Sequence, residues 1–134
     1  MNIALALITA LSLLGCPTLA RAEAADDLAR GQVLYESLCV KCHSVSTNDV
    51  GPRHQNLVGR RAGSVSDFVY SAALRNSKLV WTEDLLDRWL SNPEALIPGQ
   101  EMDVRVRSAE SRRLLIVYLK SLSATKPLAA STRP

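Results

Sequence analysis

Aromatic residues are few in this 134-residue chain: one Phe, two Trp and three Tyr make 4% of it. A chain of one-domain length with so few rings buries a modest core. No stretch alternates long enough to pair as a strand, which excludes a sheet-based fold. No internal repeat is present, which excludes a solenoid. Charge is nearly balanced at +3, and the 16 basic residues, 12 of them arginine, are scattered. Without a basic run there is no argument for nucleic acid. After residue 24 no apolar run is long enough to cross a bilayer.

The one apolar run that exists lies at the start. Ile3 to Leu14 is almost unbroken, too short to span comfortably, and small residues follow it. Met1 to about Ala22 reads as an export signal, cleaved near Ala22 or Ala24. Its one flaw is an n-region without lysine or arginine. A lipoprotein signal, with Cys16 after Leu13-Leu14-Gly15 as the lipidated residue, is a second reading, which Leu14 fits poorly. An uncleaved anchor helix is a third. Each of them carries the domain out of the cytoplasm, to the periplasm in the reading preferred here. Cleavage after Ala22 removes one cation, Arg21, and leaves a charge of +2.

Cysteine is also rare, three in all, yet two of them fall in Cys39-Val40-Lys41-Cys42-His43. Two thiols at this spacing, followed by histidine, are the attachment signature of a c-type haem. Each thiol can form a thioether to a haem vinyl group, and the adjacent imidazole can then bind the iron. Two other chemistries compete. A Cys39–Cys42 disulfide suits an oxidising compartment, but a thioredoxin-like reading wants a βαβ context, which is missing. Zinc could add His54, but structural zinc sites draw on two separated clusters, and no second cysteine pair exists. A haem explains the cysteines, the histidine, the export signal and the loop-rich pattern together.

The rest of the chain reads as helices joined by long loops. Asp26 and Asp27 suit a first helical turn, and Leu28, Gly31, Tyr35 and Leu38 recur at helical spacing up to Cys39. Residues 44–66 are rich in Gly, Pro, Asn, Asp and Ser and read as loop. A short helix is expected over Phe68 to Arg75. Thr82 is an expected N-cap, with Leu85, Leu86, Trp89 and Leu90 turned inward and Pro93 ending that helix. A last helix begins near Ser108 and carries Leu115, Tyr118, Leu119 and Leu122 at core spacing. This gives an all-α domain over 26–123 and a loose tail over 124–134. Loops this long are unusual in a bare domain and natural around a cofactor.

Haem iron has a further position opposite His43, and a methionine there closes it and raises its potential. Only Met1 and Met102 exist, and Met1 lies in the signal. Met102 follows the stiff turn Ile97-Pro98-Gly99. A methionine filling a core gap is the plain alternative. His54 is the rival ligand, or simply a surface loop residue.

The residues from about Asp26 to Leu122 resemble the class I cytochromes c, the small monohaem bacterial and mitochondrial type. The resemblance runs in order through Gly31, Tyr35, the Cys39–His43 motif, Gly51-Pro52, Gly59-Arg60, Phe68 to Ser71 and Trp81. It continues through Leu90 to Pro93, Ile97 to Gly99, Met102 and Tyr118-Leu119-Lys120. It implies three main helices, short helices and long loops wrapped around one covalent haem. It implies His43 and Met102 as the axial pair, with the Pro52 carbonyl accepting from His43. Arg60, Tyr70 and Trp81 would hold a haem propionate. Trp81 could also be plain core, and Arg60 a solvated loop charge. Gly31 and Leu115 would mark the crossing of first and last helices, beside Tyr35 and Tyr118.

Several positions depart from the family pattern. Trp89 stands where a tyrosine often touches the methionine sulfur, which leaves that contact open. Gln100 replaces a common threonine, Leu74 an asparagine and Val104 an aromatic residue. The four lysines cannot form the family's usual basic ring, and Glu94, Glu101 and Asp103 flank the methionine loop. The function implied is one-electron transfer between periplasmic or membrane-bound redox partners, by a carrier and not an enzyme. A haem subunit docked to a dehydrogenase or oxidase is the alternative, and a peroxidase-like or sensor protein a weaker one.

Overall fold

A computed structural model describes residues 17–123. The apolar stretch of the expected signal, Cys16 and the expected tail over 124–134 lie outside the described residues. Among the described residues five helices occur in order: α1 (Pro17–Leu38), α2 (Ala72–Asn76), α3 (Glu83–Ser91), α4 (Pro93–Leu96) and α5 (Ala109–Ser121). The three longer ones are α1, α3 and α5, as expected. Among the described residues there is no strand, only an isolated antiparallel bridge between Arg61 and Val80.

Local chemistry sets the helix starts. Thr82 Oγ1 accepts the Leu85 N–H at 3.2 Å, so α3 begins where its cap was expected. Ser108 does the same for α5, accepting the Ser111 N–H at 3.2 Å. Asn92 caps α4 through the Ala95 N–H at 3.3 Å, and Pro93, which ends α3, occupies its first turn.

Two boundaries differ from expectation. The helix expected from Phe68 starts later, because Ser71 accepts the Leu74 N–H and caps it there. α1 starts well before Asp26, because alanine-rich residues continue it through both expected cleavage sites. Residues 19–26 of that extension are exposed.

α1 packs on α5, and α3 packs on α5 and α4. The α1–α5 crossing requires glycine at 31: a Cβ there would lie 2.2 Å from the Leu114 carbonyl oxygen. Leu115 beside it is fully buried, and the Tyr35 and Tyr118 rings meet at 5.0 Å. Of the residues that recur at helical spacing in α1, Gly31 and Tyr35 are buried at the crossing, whereas Leu28 and Leu38 are 37% and 38% exposed and Leu38 lines the cavity. Outside the crossing, Arg113 holds Asp27 at 2.6 and 2.9 Å and Glu110 at 2.8 Å, and its guanidinium pulls the Asp27 carboxyl below its usual pKa.

Candidate functional site

The three longer helices and the loops between them enclose an apolar cavity of about 400 Å³. Its size is that of a small-ligand or cofactor pocket. Cys39, Cys42, His43, Met102, Arg60, Tyr70, Trp81 and Pro52 all line it. One cavity therefore collects every residue that the sequence nominated for a site.

The histidine wall is built from backbone. The Cys42 N–H and the His43 N–H donate to the Cys39 carbonyl at 3.1 and 2.9 Å, so the motif continues α1 as one further turn. His43 Nδ1 lies 2.8 Å from the Pro52 carbonyl. A carbonyl only accepts, so Nδ1 carries the proton and Nε2 keeps its lone pair for a metal. Burial lowers the His43 pKa, which favours this neutral form, although the Pro52 bond opposes the shift. Gly51 sits against the ring: a Cβ there would come within 2.2 Å of His43 Cε1. The Gly51 N–H in turn donates to the Cys42 carbonyl at 2.6 Å.

Cys39 and Cys42 are not joined to each other by a disulfide, and both are half-buried. Burial, with Cys42 nearby, pushes the Cys39 thiol up to about 11. Among the described residues no group of three or more His, Cys, Asp or Glu side chains gathers as a metal cluster, so the zinc reading has no ligand set here.

His54 is neither a surface residue nor a ligand opposite His43. Its ring stacks on His43, with centroids 4.1 Å apart and planes at 22°. Its Nδ1 lies 3.1 Å from the Tyr35 hydroxyl. Burial, then His43 and Arg60, lowers its pKa to about 3, so it is neutral at ordinary pH. No spacing rule in the sequence places it there.

The wall that holds Met102 is built from side chains. The Trp89 indole Nε1–H donates to Met102 Sδ at 3.2 Å, so the indole does reach the sulfur. The Met102 N–H donates to Gln100 Oε1 at 2.5 Å. Glu94 accepts the Gly99 N–H at 3.0 Å and the Gln100 amide at 3.4 Å. Beyond the methionine, the buried Val106 N–H donates to the Leu90 carbonyl at 2.7 Å. Arg112 donates to the carbonyls of Val106 and Arg107 at 3.0 and 2.9 Å and pairs with Asp87 at 2.7 Å. The stretch that departs most from the family pattern is thus tied to α3 and α5.

Arg60, Tyr70 and Trp81 form a polar corner of the cavity. Arg60 and Trp81 are joined through backbone, the Trp81 N–H donating to the Arg60 carbonyl at 2.9 Å. Two of the five Arg60 donors go to the carbonyls of Gln55 and Arg53, at 3.0 and 2.9 Å. The Trp81 indole N–H has no acceptor among the described residues, although the side chain is buried on the cavity wall. No buried side-chain nitrogen or oxygen among the described residues lacks a partner, so this N–H is open to the cavity and not sealed in the core. A cavity-bound carboxylate would satisfy it. At the mouth stand Val50, Val69 and Val104, exposed by 73%, 89% and 36%, with Glu101 and Asp103.

These features fit a flat apolar group held by the two cysteines, with a neutral imidazole and a thioether among the side chains that line its cavity. Comparison with known proteins agrees. Cytochrome c 2.1 of Caenorhabditis elegans is 38% identical over 103 residues, 75% of this chain and 93% of that one. Cytochrome c2 of Rhodomicrobium vannielii is 39% identical over 104 residues, 75% of this chain and 82% of that one. The structure of cytochrome cH from Methylobacterium extorquens superposes with a TM-score of 0.67 and 32% identity, covering 71% of this chain and 98% of that one. No protein-family model matches the chain. Fold and cavity define a haem-carrying electron-transfer protein of the all-α class. The chain belongs to the class I monohaem cytochrome c family and carries one covalently attached haem c. Among the described residues no helix is long and apolar enough to cross a membrane.

Proposed function

We propose that the protein is a periplasmic one-electron carrier with His43 and Met102 as its axial ligands. The observation that supports this most is their placement. The unprotonated His43 Nε2 and the Met102 thioether line one cavity, each fixed by its own hydrogen bond. When bound, the haem iron supplies a one-electron couple with both axial positions filled, which favours electron transfer over chemistry at the metal.

The chain's own residues do the rest. Cys39 and Cys42 tether the group as thioethers. The Pro52 carbonyl fixes the His43 tautomer and raises its basicity as a ligand. Arg60, Tyr70 and Trp81 receive a propionate and compensate its burial. The apolar walls keep water out, and the valine-lined mouth is where a redox partner approaches. Glu101 and Asp103 at that mouth favour a partner whose facing surface is basic, unlike the acidic partners that a lysine ring would suit.

Cleavage near Ala22 or Ala24 would leave the domain over 26–123 with its core intact, because residues 19–26 are exposed. The carrier then acts outside the cytoplasm, between reductase and oxidase proteins that are themselves periplasmic or membrane-bound. Replacing both Cys39 and Cys42 with alanine tests the attachment. Haem staining after denaturing electrophoresis is expected to be positive for the native protein and negative for the double variant. Retained staining would contradict the assignment.

A further inference from the structure

We infer that His54 acts on the iron through His43: its ring, stacked on the ligand's ring, stabilises the oxidised state and lowers the potential. The inference rests on the reading of His43 as an axial ligand. The two ring centroids lie 4.1 Å apart, with planes at 22°.

The stack is built from both main chain and side chain. The His54 N–H donates to the Ser44 carbonyl at 3.0 Å, and the Gln55 N–H to the Val45 carbonyl at 2.7 Å. The segment after His43 and the segment at His54 therefore run side by side, which sets the register of the two rings. The Tyr35 hydroxyl holds the His54 ring itself, 3.1 Å from Nδ1. Burial pushes the Tyr35 pKa up to about 12, so the phenol keeps its proton, and the bond forms with either group donating. Tyr35 is 2% exposed and packs on Tyr118, so His54 is anchored to the crossing of α1 and α5.

The Pro52 carbonyl and Gly51 decide where the His43 ring lies; His54 decides what faces it. Burial keeps His54 uncharged, so it presents a π face and not a cation. Such a face carries partial negative charge. Between two neutral rings that gives a weak repulsion. Oxidation of the iron draws electron density from the ligand ring and makes it more positive, and the same contact becomes attractive. A ring at this place therefore favours the ferric state over the ferrous. An aliphatic side chain of similar bulk gives no such preference. The surroundings of a ligating histidine are a lever on the potential of the metal it binds.

His54→Leu removes the ring and keeps the bulk. A ring face beside a partial positive charge, at the strength of a weak cation–π contact, corresponds to a factor of about two to five in the ferrous-to-ferric ratio, or about 20–40 mV at 59 mV per decade. The midpoint potential of the holoprotein is expected to rise by that amount in His54→Leu. His54→Phe, which restores a ring face, is expected to recover part of the shift. An unchanged or lowered potential in His54→Leu, or no recovery in His54→Phe, would overturn the inference while leaving the ligand assignment standing. NMR of the native ferric holoprotein with isotope-labelled histidine checks the ligand separately. One of the two imidazoles in the chain is expected to carry the large shifts of a ring bound to paramagnetic iron. If neither does, the ligand assignment fails, and the inference with it. If the variants do not fold, the native ferrous protein decides. An Overhauser contact between the two imidazole rings is expected, and its absence would overturn the inference.

Discussion

The two faces of the cavity are held by different kinds of force. His43 is set by main chain: the Pro52 carbonyl at 2.8 Å, the turn that closes on Cys39, and the bare Cα of Gly51 against the ring. Met102 is set by side chains: Trp89 on its sulfur, Gln100 on its N–H, and Glu94 behind Gln100. A backbone carbonyl is supplied by any residue, but a position that must lack a Cβ admits only glycine. A side-chain clamp can be rebuilt from other residues that supply a donor and an acceptor. The histidine face therefore follows the family pattern closely, and the methionine face carries the departures Trp89, Gln100 and Val104.

This difference is sharpest at Gly51. In Gly51→Ala the new methyl would sit 2.2 Å from His43 Cε1, and the Pro52 bond leaves the ring little freedom to yield. Overpacking of this kind costs about 1–3 kcal/mol. The thermal midpoint should fall by roughly 4–8 °C per kcal/mol. A midpoint equal to that of the native protein would mean that the histidine face yields as easily as the methionine face.

A smaller effect is expected across the cavity. Gln100→Ala removes the acceptor of the Met102 N–H and leaves the sulfur contact with Trp89 in place. The loss should be about 1 kcal/mol, a several-fold change in an equilibrium. It is best seen as tighter binding of added cyanide or imidazole by the oxidised protein, since either must displace the methionine. Unchanged affinity would show that the loop is held without Gln100.

Much of this was legible in the sequence because it depends on local spacing. The Cys39–His43 motif, the cap at Thr82 and the helix start near Ser108 each follow from short-range rules, and the structure places each as expected, whereas the crossing at Gly31 was implied by the family resemblance. What escaped depended on distance in the chain. Nothing local places His54 on the His43 ring, and nothing in residues 100–107 shows that Arg112 will hold the carbonyls of Val106 and Arg107. The start of α1 was missed for a different reason. The acids at 26 and 27 are good first-turn residues, but the alanines before them continue a helix equally well, so an N-terminal signal and a helical extension share one composition.

The axial pair is tested most directly by the optical spectrum of the oxidised holoprotein at neutral pH. The weak long-wavelength sulfur-to-iron band should be present in the native protein and absent from Met102→Ala. A native spectrum without that band, or a Met102→Ala spectrum that retains it, would contradict methionine ligation.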